Sequence, residues 1–250
     1  MEAVGALALE FGQLAMEAGS SARHVDEVST QVAVGLGAER VYVRVDYDSL
    51  TITIGVGSDG LTRMCSVGPL SVNQSLHRAL GAAAAKIEQG GFTLTEARAE
   101  LTHLLRNSSR HPDWLVAIAI GVACSAFGRL LGVDWAGVGP IFVASALGQI
   151  LRRKLGLYHV NTFISASVVA FLGSAFCGLG ARWVGSQTLA IDLIAPVLLL
   201  VPGVPAFNAQ YDILEGHPTI GSARAIWVVM MVVFMTIGVW LAQGLLGEGR

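Results

Sequence analysis

A chain of 250 residues with a formal net charge of −2 has no excess of basic side chains with which to neutralise nucleic-acid phosphates. Its residues are 53% hydrophobic and 14% charged, where a soluble protein has roughly a quarter charged. The shortage is local: charges are frequent from Met1 to Arg110 and sparse from Trp114 onward, which excludes a uniformly soluble protein and predicts an α+β domain over 1–110 followed by a membrane domain over 111–250.

In the first part, Leu7, Phe11, Leu14 and Ala18 fall at helical spacing, and Gly19-Ser20-Ser21 closes that helix and offers a cap to the next. Val25, Val28, Val32 and Leu36 form the second apolar stripe, with Gly37 as its stop. The period then changes to two. Val41, Val43 and Val45 alternate with polar residues, as do Leu50, Ile52, Ile54 and Val56; Ser58-Asp59-Gly60 reads as a turn and Leu61 to Val67 as a third strand. Short connections predict an antiparallel meander. Helical spacing returns after Ser71, a candidate cap, with Val72, Leu76, Leu80, Ala83 and Ile87. Thr93 and Glu96 then form a capping box before Leu101, Leu104 and Leu105. The order is αα-βββ-αα. His24, His77 and His103 sit among polar helix positions and read as surface or capping residues. Cys65, Cys124 and Cys177 show no metal-ligand spacing, so neither a metal nor another cofactor is expected. The N-terminus lacks a basic region and Glu10 interrupts its apolar residues, which argues against a cleaved signal peptide.

From Trp114 the chain offers five runs near the 20 or so apolar residues that a spanning helix needs: 114–131, 135–150, 160–183, 189–208 and 225–245. Arg106, Arg110, Arg152, Arg153, Lys154 and Arg224 fall on the side of the N-terminal domain, against Arg182, Arg250 and at most Arg129 on the other. By the positive-inside rule that domain is cytoplasmic and the C-terminus outside. Small residues are dense in the first three runs, which suits tight helix packing and subunit contacts. Arg129 and Gln149 are polar groups at membrane depth, where such groups mark either a functional path or a side chain snorkelling to the interface. Arg129 and Asp192 would both lie toward the outer side and could pair.

The fourth run is interrupted by Pro202-Gly203-Val204-Pro205. Neither proline can donate a backbone hydrogen bond, so the carbonyls of Leu198 and Val201 should lose their helical partners. Broken backbone in a membrane survives only against protein or water. Asn208 and Asp212 follow, four apart on one helical face. Such a break followed by polar groups is the pattern of many transporter sites, although a proline kink that helps helices pack would look the same. Pro202, Gly203, Pro205, Asn208, Asp212, Gln149 and Arg129 are therefore the candidate substrate-path residues.

Two stretches carry a resemblance to the N-terminal, larger module of the threonine/serine exporter family, including its stand-alone YjjP-type inner-membrane members. One is Gly19-Ser20-Ser21-Ala22-Arg23-His24-Val25-Asp26-Glu27-Val28. The other is Leu200-Val201-Pro202-Gly203-Val204-Pro205 with Asn208, Asp212, Gly216-His217 and Gly221. The resemblance implies a secondary transporter of the cytoplasmic membrane that exports threonine and serine or succinate-like dicarboxylates, coupled to the proton gradient. It also implies a small membrane protein as partner, supplying the family's second module, and an oligomer. The other reading is a membrane-anchored sensor or scaffold whose cytoplasmic domain binds a ligand or protein. An enzyme is not supported, since neither HExxH nor GxSxG occurs.

Overall fold

In the computed structural model, which describes residues 1–55, 60–108 and 111–246, the change of period along the chain becomes a change of element. The helices α1 (Glu2–Glu17) and α2 (Ala22–Gly35) precede the strands β1 (Val41–Val45), β2 (Ser49–Ile54) and β3 (Leu61–Ser66). Next come α3 (Gln74–Glu88), α4 (Leu94–Asn107), α5 (Asp113–Leu130), α6 (Trp135–Leu157), α7 (Thr162–Trp183) and α8 (Leu189–Ile194). A 3-10 segment (Ala195–Leu200), α9 (Gly203–Leu214) and α10 (Pro218–Leu246) complete the order, for ten α-helices among the described residues.

The chain divides into two compact units. The first is Met1–Ser109 with Gly203–Ile226, and the second is Arg110–Pro202 with Trp227–Arg250. The first unit thus takes in α9 and the first turns of α10 together with the N-terminal stretch.

In the first unit the sheet runs β1-β2-β3, antiparallel throughout, with Val43 opposite Ile52 and Ile52 opposite Arg63. Alternation buries Leu50, Ile52 and Ile54 on one face, against which α1 packs Leu7 and Phe11 and α2 packs Val25, Val28 and Val32. Each large side chain fully buried there contributes about 1.5–3 kcal/mol. Ile220 of α10 joins the same core. Thr93 and Glu96 form the reciprocal capping box at the start of α4. At α3 the cap is Asn73, whose side chain accepts from the Leu76 amide at 3.0 Å, not Ser71. Ser71 instead donates its own amide to the Glu17 carbonyl at 2.8 Å, a long-range bond that holds it outside the helix. The turn expected at Ser58-Asp59-Gly60 lies largely outside the described residues, as do Val56, Arg110 and Arg250.

In the second unit, α5, α7 and, with its first turns in the first unit, α10 are long and apolar enough to cross a membrane. The broken pair 189–200 and 203–214 makes a fourth if it counts as one span. The helices that qualify as candidate spans by length and composition therefore number three or four among the described residues, where the runs of sequence suggested five. The difference is α6. It is 23 residues long, but Pro140, its glycines, Gln149 and the Arg152-Arg153-Lys154 run hold down its hydropathy. Small residues do allow close packing here: a Cβ on Gly238 of α10 would stand 2.3 Å from the Ser167 carbonyl oxygen of α7.

Around the interruption the prolines act in different ways. Pro196 stands in the first turn of the 3-10 segment, where no donor is required. Val201, the residue before Pro202, is forced out of the helical region to ψ 120°. Its amide donates to the Leu198 carbonyl at 3.2 Å, so that carbonyl is satisfied despite Pro202. Pro205 falls in the first turn of α9, where amides have no intrahelical acceptor.

Candidate functional site

The sharpest polar construction lies in the first unit, at the turn between α1 and α2. Gly19 takes φ +100°, a conformation that glycine adopts without strain. With it, the Ser20 amide reaches the Ala15 carbonyl and the Gly19 amide the Met16 carbonyl, both at 3.1 Å, closing α1 in a Schellman motif. This turn leaves the carbonyls of Gly19 and Ser20 and the first amide of α2 in need of partners, and α9 and α10 supply all three. Asn208 donates to the Gly19 carbonyl at 2.8 Å. Arg224 donates to the Ser20 carbonyl at 3.1 Å. Asp212 accepts from the Ala22 amide at 2.8 Å and so adds to the cap that Ser21 gives α2 by accepting from the His24 amide. The other carboxylate oxygen of Asp212 accepts from Arg224. Asp212 is 1% exposed and Arg224 8%, so this is a buried ion pair in which each partner also bonds one backbone group. The two stretches that carried the sequence resemblance are thus bonded to each other.

Beside the turn is a cavity of about 550 Å³ whose wall is formed by the turn, α2, the start of α3 and α9. The rings of His24 and His77 lie with centroids 4.3 Å apart on one side, and Ser20 Oγ shares a 2.6 Å hydrogen bond with His77 Nδ1. His24 packs against Gly81 of α3, and its Nε2 is buried without a hydrogen-bond partner among the described residues. Burial pushes the pKa of His24 down, with the neighbouring His77 adding to it. Burial does the same to His77, helped by Arg78. Both rings are therefore neutral at pH 7. At the rim, Arg23 is bonded to Glu27 at 2.8 Å and also to Glu215. Phe207, Asn208 and Tyr211 present the α9 side.

Of the residues expected to line a path, Asn208 lines this cavity, Asp212 lies in the ion pair that bonds the first amide of α2, and Gly203 and Pro205 open α9, with Pro202 just before it. Gln149 and Arg129 belong to the second unit. Gln149 Oε1 and Ser145 Oγ, four residues apart on α6, are buried without partners among the described residues. One turn on, Arg152 donates to the Leu199 carbonyl at the end of the 3-10 segment, at 3.2 Å. Arg129 donates to the Val133 carbonyl and stacks over Trp135, 4.4 Å from the ring centroid. It is not paired with Asp192, which accepts from the hydroxyls of Ser186 and Thr188. Nearest-neighbour contacts thus satisfy both groups. Sequence reading missed Ser20, His24, His77 and Arg224 as members of a site; the only signal was the spacing of Ser20 and His24 across a predicted cap.

Comparison with known proteins gives this arrangement a context. Residues 6–246 match the sequence model of the threonine/serine exporters, ThrE. The chain belongs to that family. It is therefore a membrane protein of a transporter family. The match covers both units, including the turn at Gly19 and the interruption at Pro202. Similar curated proteins include the "Probable succinate transporter subunit YjjP" of Escherichia coli K12, 27% identical over 98% of this chain and 95% of that one. The protein of the same name from Klebsiella aerogenes is 25% identical over the same shares. Pheromone-regulated membrane protein 10 of the yeast Zygosaccharomyces rouxii is 23% identical over 62% of this chain but only 16% of its own length. No solved structure matches.

Proposed function

We propose that this exporter-family chain is one subunit of a two-component secondary transporter that moves small carboxylate-bearing metabolites, threonine and serine or a succinate-like dicarboxylate, out across the cytoplasmic membrane. Coupling is to the proton gradient. The first unit faces the cytoplasm, the C-terminus lies outside, and a small membrane protein supplies the second module. The observation that carries the reading is the interruption at Pro202-Gly203-Val204-Pro205, after which α9 does not continue as an inert span but contributes Asn208 to a polar cavity and Asp212 to the turn beside it. An anchor has no need of such a segment. In this reading Pro202, Gly203, Pro205 and Asn208 border the path, and Gln149, with its free acceptor, offers a polar point in the second unit. Asp212 and Arg129 are held by their own partners and shape the walls.

The test is flux of threonine, serine and succinate from loaded proteoliposomes that contain this chain with and without the second module. Efflux of one of them that needs both components is the expected result. Efflux from this chain alone would overturn the two-component arrangement, and no efflux with both would overturn transport of these substrates. One observation favours the sensor reading: every residue lining the cavity belongs to the first unit. A ligand that binds with no accompanying flux would support it.

A further inference from the structure

We infer that Asp134, Ser186 and Asp192, all in the second unit, form a proton-binding site: at neutral pH it holds one proton between its two carboxylates and passes that proton from one to the other through the Ser186 hydroxyl. The site is argued from its own bonds, and only its use in coupling rests on the exporter reading.

Asp192 is a carboxyl that the proposed path does not use, and it is 0% exposed. Its bonds among the described residues are to hydroxyls, not to a cation. The elements that pack against α8 bring it little charge. From α6 comes Asp134 at the cap, while Arg152, Arg153 and Lys154 stand at the opposite end of that helix. From α7 come the Cys177 thiol, beside Asp192, and Arg182, which donates to the Leu246 carbonyl at 2.5 Å. The 3-10 segment brings no charged side chain. Gly137 of α6 lies so close that a Cβ there would stand 2.5 Å from Asp192 Oδ1, so no counter-ion fits on that side. An unpaired charge so enclosed is costly to hold.

The hydroxyls decide the proton count. Each has one proton to give. Thr188 gives its proton to Asp192 Oδ1 at 3.2 Å, and its oxygen already accepts from the Asp134 amide at 3.1 Å. Ser186 stands between two carboxylate oxygens, Asp134 Oδ1 at 3.0 Å and Asp192 Oδ2 at 2.5 Å. With both carboxylates ionised, one of these contacts would hold no hydrogen and would bring two acceptors together. One further proton fills both. Placed on Asp134, it is donated to Ser186, which donates to Asp192. Placed on Asp192, it is donated to Ser186, which donates to Asp134. The 2.5 Å separation is that of an O–H···O bond with an ionised partner. The proton therefore belongs to the pair and not to either residue.

Passage between the two arrangements needs no other reactant. The O–H bond of Asp192 breaks as one forms on Ser186, and the O–H bond that Ser186 held breaks as one forms on Asp134. One proton has crossed and no electron has moved. Asp192 is enclosed and Asp134 partly exposed, so the relay leads from the interior of the unit to its surface.

The experiment is infrared difference spectroscopy of the full chain in lipid vesicles at neutral pH, parent minus Asp192→Asn. A carboxylic acid and a carboxylate absorb at separate positions, and only the acid carries an exchangeable hydrogen, so only its band shifts in heavy water. One acid band is expected, present in the parent, absent from Asp192→Asn and lost as the pH is raised. The amide in Asp192→Asn keeps an acceptor for Thr188 and a donor for Ser186, so the fold is kept, and an unchanged melting temperature checks this. Ser186→Ala cuts the relay. In that variant the band should stay, and its shift after dilution into heavy water should slow about tenfold or more; this comparison with the parent does not depend on Asp192→Asn. No acid band in the parent, or an acid band that survives in Asp192→Asn, would overturn the site, and an unaltered exchange rate in Ser186→Ala would overturn the relay. With the second module present, efflux should respond to an imposed pH gradient in the parent and not in Asp192→Asn; a response kept in the variant would overturn the coupling. The two readings fail separately. An acid band with no efflux from the two-component vesicles removes the exporter and keeps the site. Efflux with no acid band removes the site and keeps the exporter.

Discussion

Removing the Asp212 carboxylate should take an acceptor from the first amide of α2, where Ser21 still caps the helix by accepting from the His24 amide, and strand a buried cation. In Asp212→Ala, the Ala22 amide loses its 2.8 Å acceptor and Arg224, 8% exposed, loses its only carboxylate partner among the described residues. Breaking a buried pair from one side costs about 3–5 kcal/mol, and the lost acceptor adds about 1 kcal/mol. Asp212→Asn keeps an acceptor for the amide and so recovers only that smaller part. Replacing both residues, Asp212→Asn with Arg224→Gln, removes the stranded charge and should restore most of the stability, because a buried pair is worth little net of its desolvation. Hydrogen exchange of α2 amides in the detergent-solubilised chain reads the effect locally. Exchange should accelerate by about three to four decades in Asp212→Ala, one decade for each 1.4 kcal/mol, and return most of the way in the double variant. If Asp212→Ala changes α2 exchange by less than about threefold, the pair does not hold the turn. A double variant as labile as the single one would show that the cost lies elsewhere than in the unpaired cation.

Three other outcomes follow from particular contacts. His24 and His77 have folded pKa values pushed below their ordinary 6.5, so the unfolded chain binds protons more readily. Stability of the first unit is then fully present above the ordinary value and is lost as pH falls from there toward the folded values. Unfolding of that unit followed between about pH 7.5 and 5 should show the loss, and His24→Gln with His77→Gln should flatten it; an unchanged slope refutes the assignment. Gly238→Leu should separate α7 from α10, since even a Cβ would meet the Ser167 carbonyl oxygen at 2.3 Å; a melting temperature equal to the parent's would show that the two helices adjust freely. Compartment-sensitive reporters fused after Asn107 and after Leu246 should report opposite sides of the membrane, and the same side for both would mean that the Lys/Arg asymmetry misplaces an end.

What was legible in the sequence was local. The alternation of β2 with its neighbours, the Thr93–Glu96 box and the Gly19 stop depend on residues within a few positions of one another, and the structure forms all three. The cap of α3 was harder, because Ser71 and Asn73 are both good cap residues and what separates them is the bond from Ser71 to Glu17, 54 positions away. The site was legible only in halves. Gly19-Ser20-Ser21 and Pro202-Gly203-Val204-Pro205 each stood out, but that Asp212 reaches back 190 positions to bond the first amide of α2 has no signature in either stretch. The His24–His77 pair depends on Gly81, where a Cβ would stand 3.1 Å from the His24 ring. A glycine in mid-helix announces a close approach without saying to what.

The interruption itself supplies the last prediction, and the two prolines should not be equivalent. Pro205 stands in the first turn of α9, where its missing N–H has no acceptor and its ring meets no preceding helical carbonyl. Pro205→Ala should therefore leave stability and any flux nearly unchanged. Pro202 acts through its neighbour. It holds Val201 at ψ 120°, and that geometry directs the Val201 amide to the Leu198 carbonyl. Pro202→Ala lifts the steric bar on a helical Val201 and restores a donor that can reach Leu198. The Leu198 carbonyl is already satisfied, however, so little is gained by one new bond while Pro205 still blocks the next. Only the double replacement provides donors at both positions and lets the helix run through. Exchange of the amides of Val201, Gly203 and Val204, which every variant shares, should slow in the double variant and hardly in either single one, and efflux should fall in the same order. Should Pro205→Ala alone abolish efflux with exchange unaltered, its ring would be acting on the substrate and not on the backbone. Should the double variant become protected yet transport normally, the interruption would be a packing feature, and the path would have to run elsewhere.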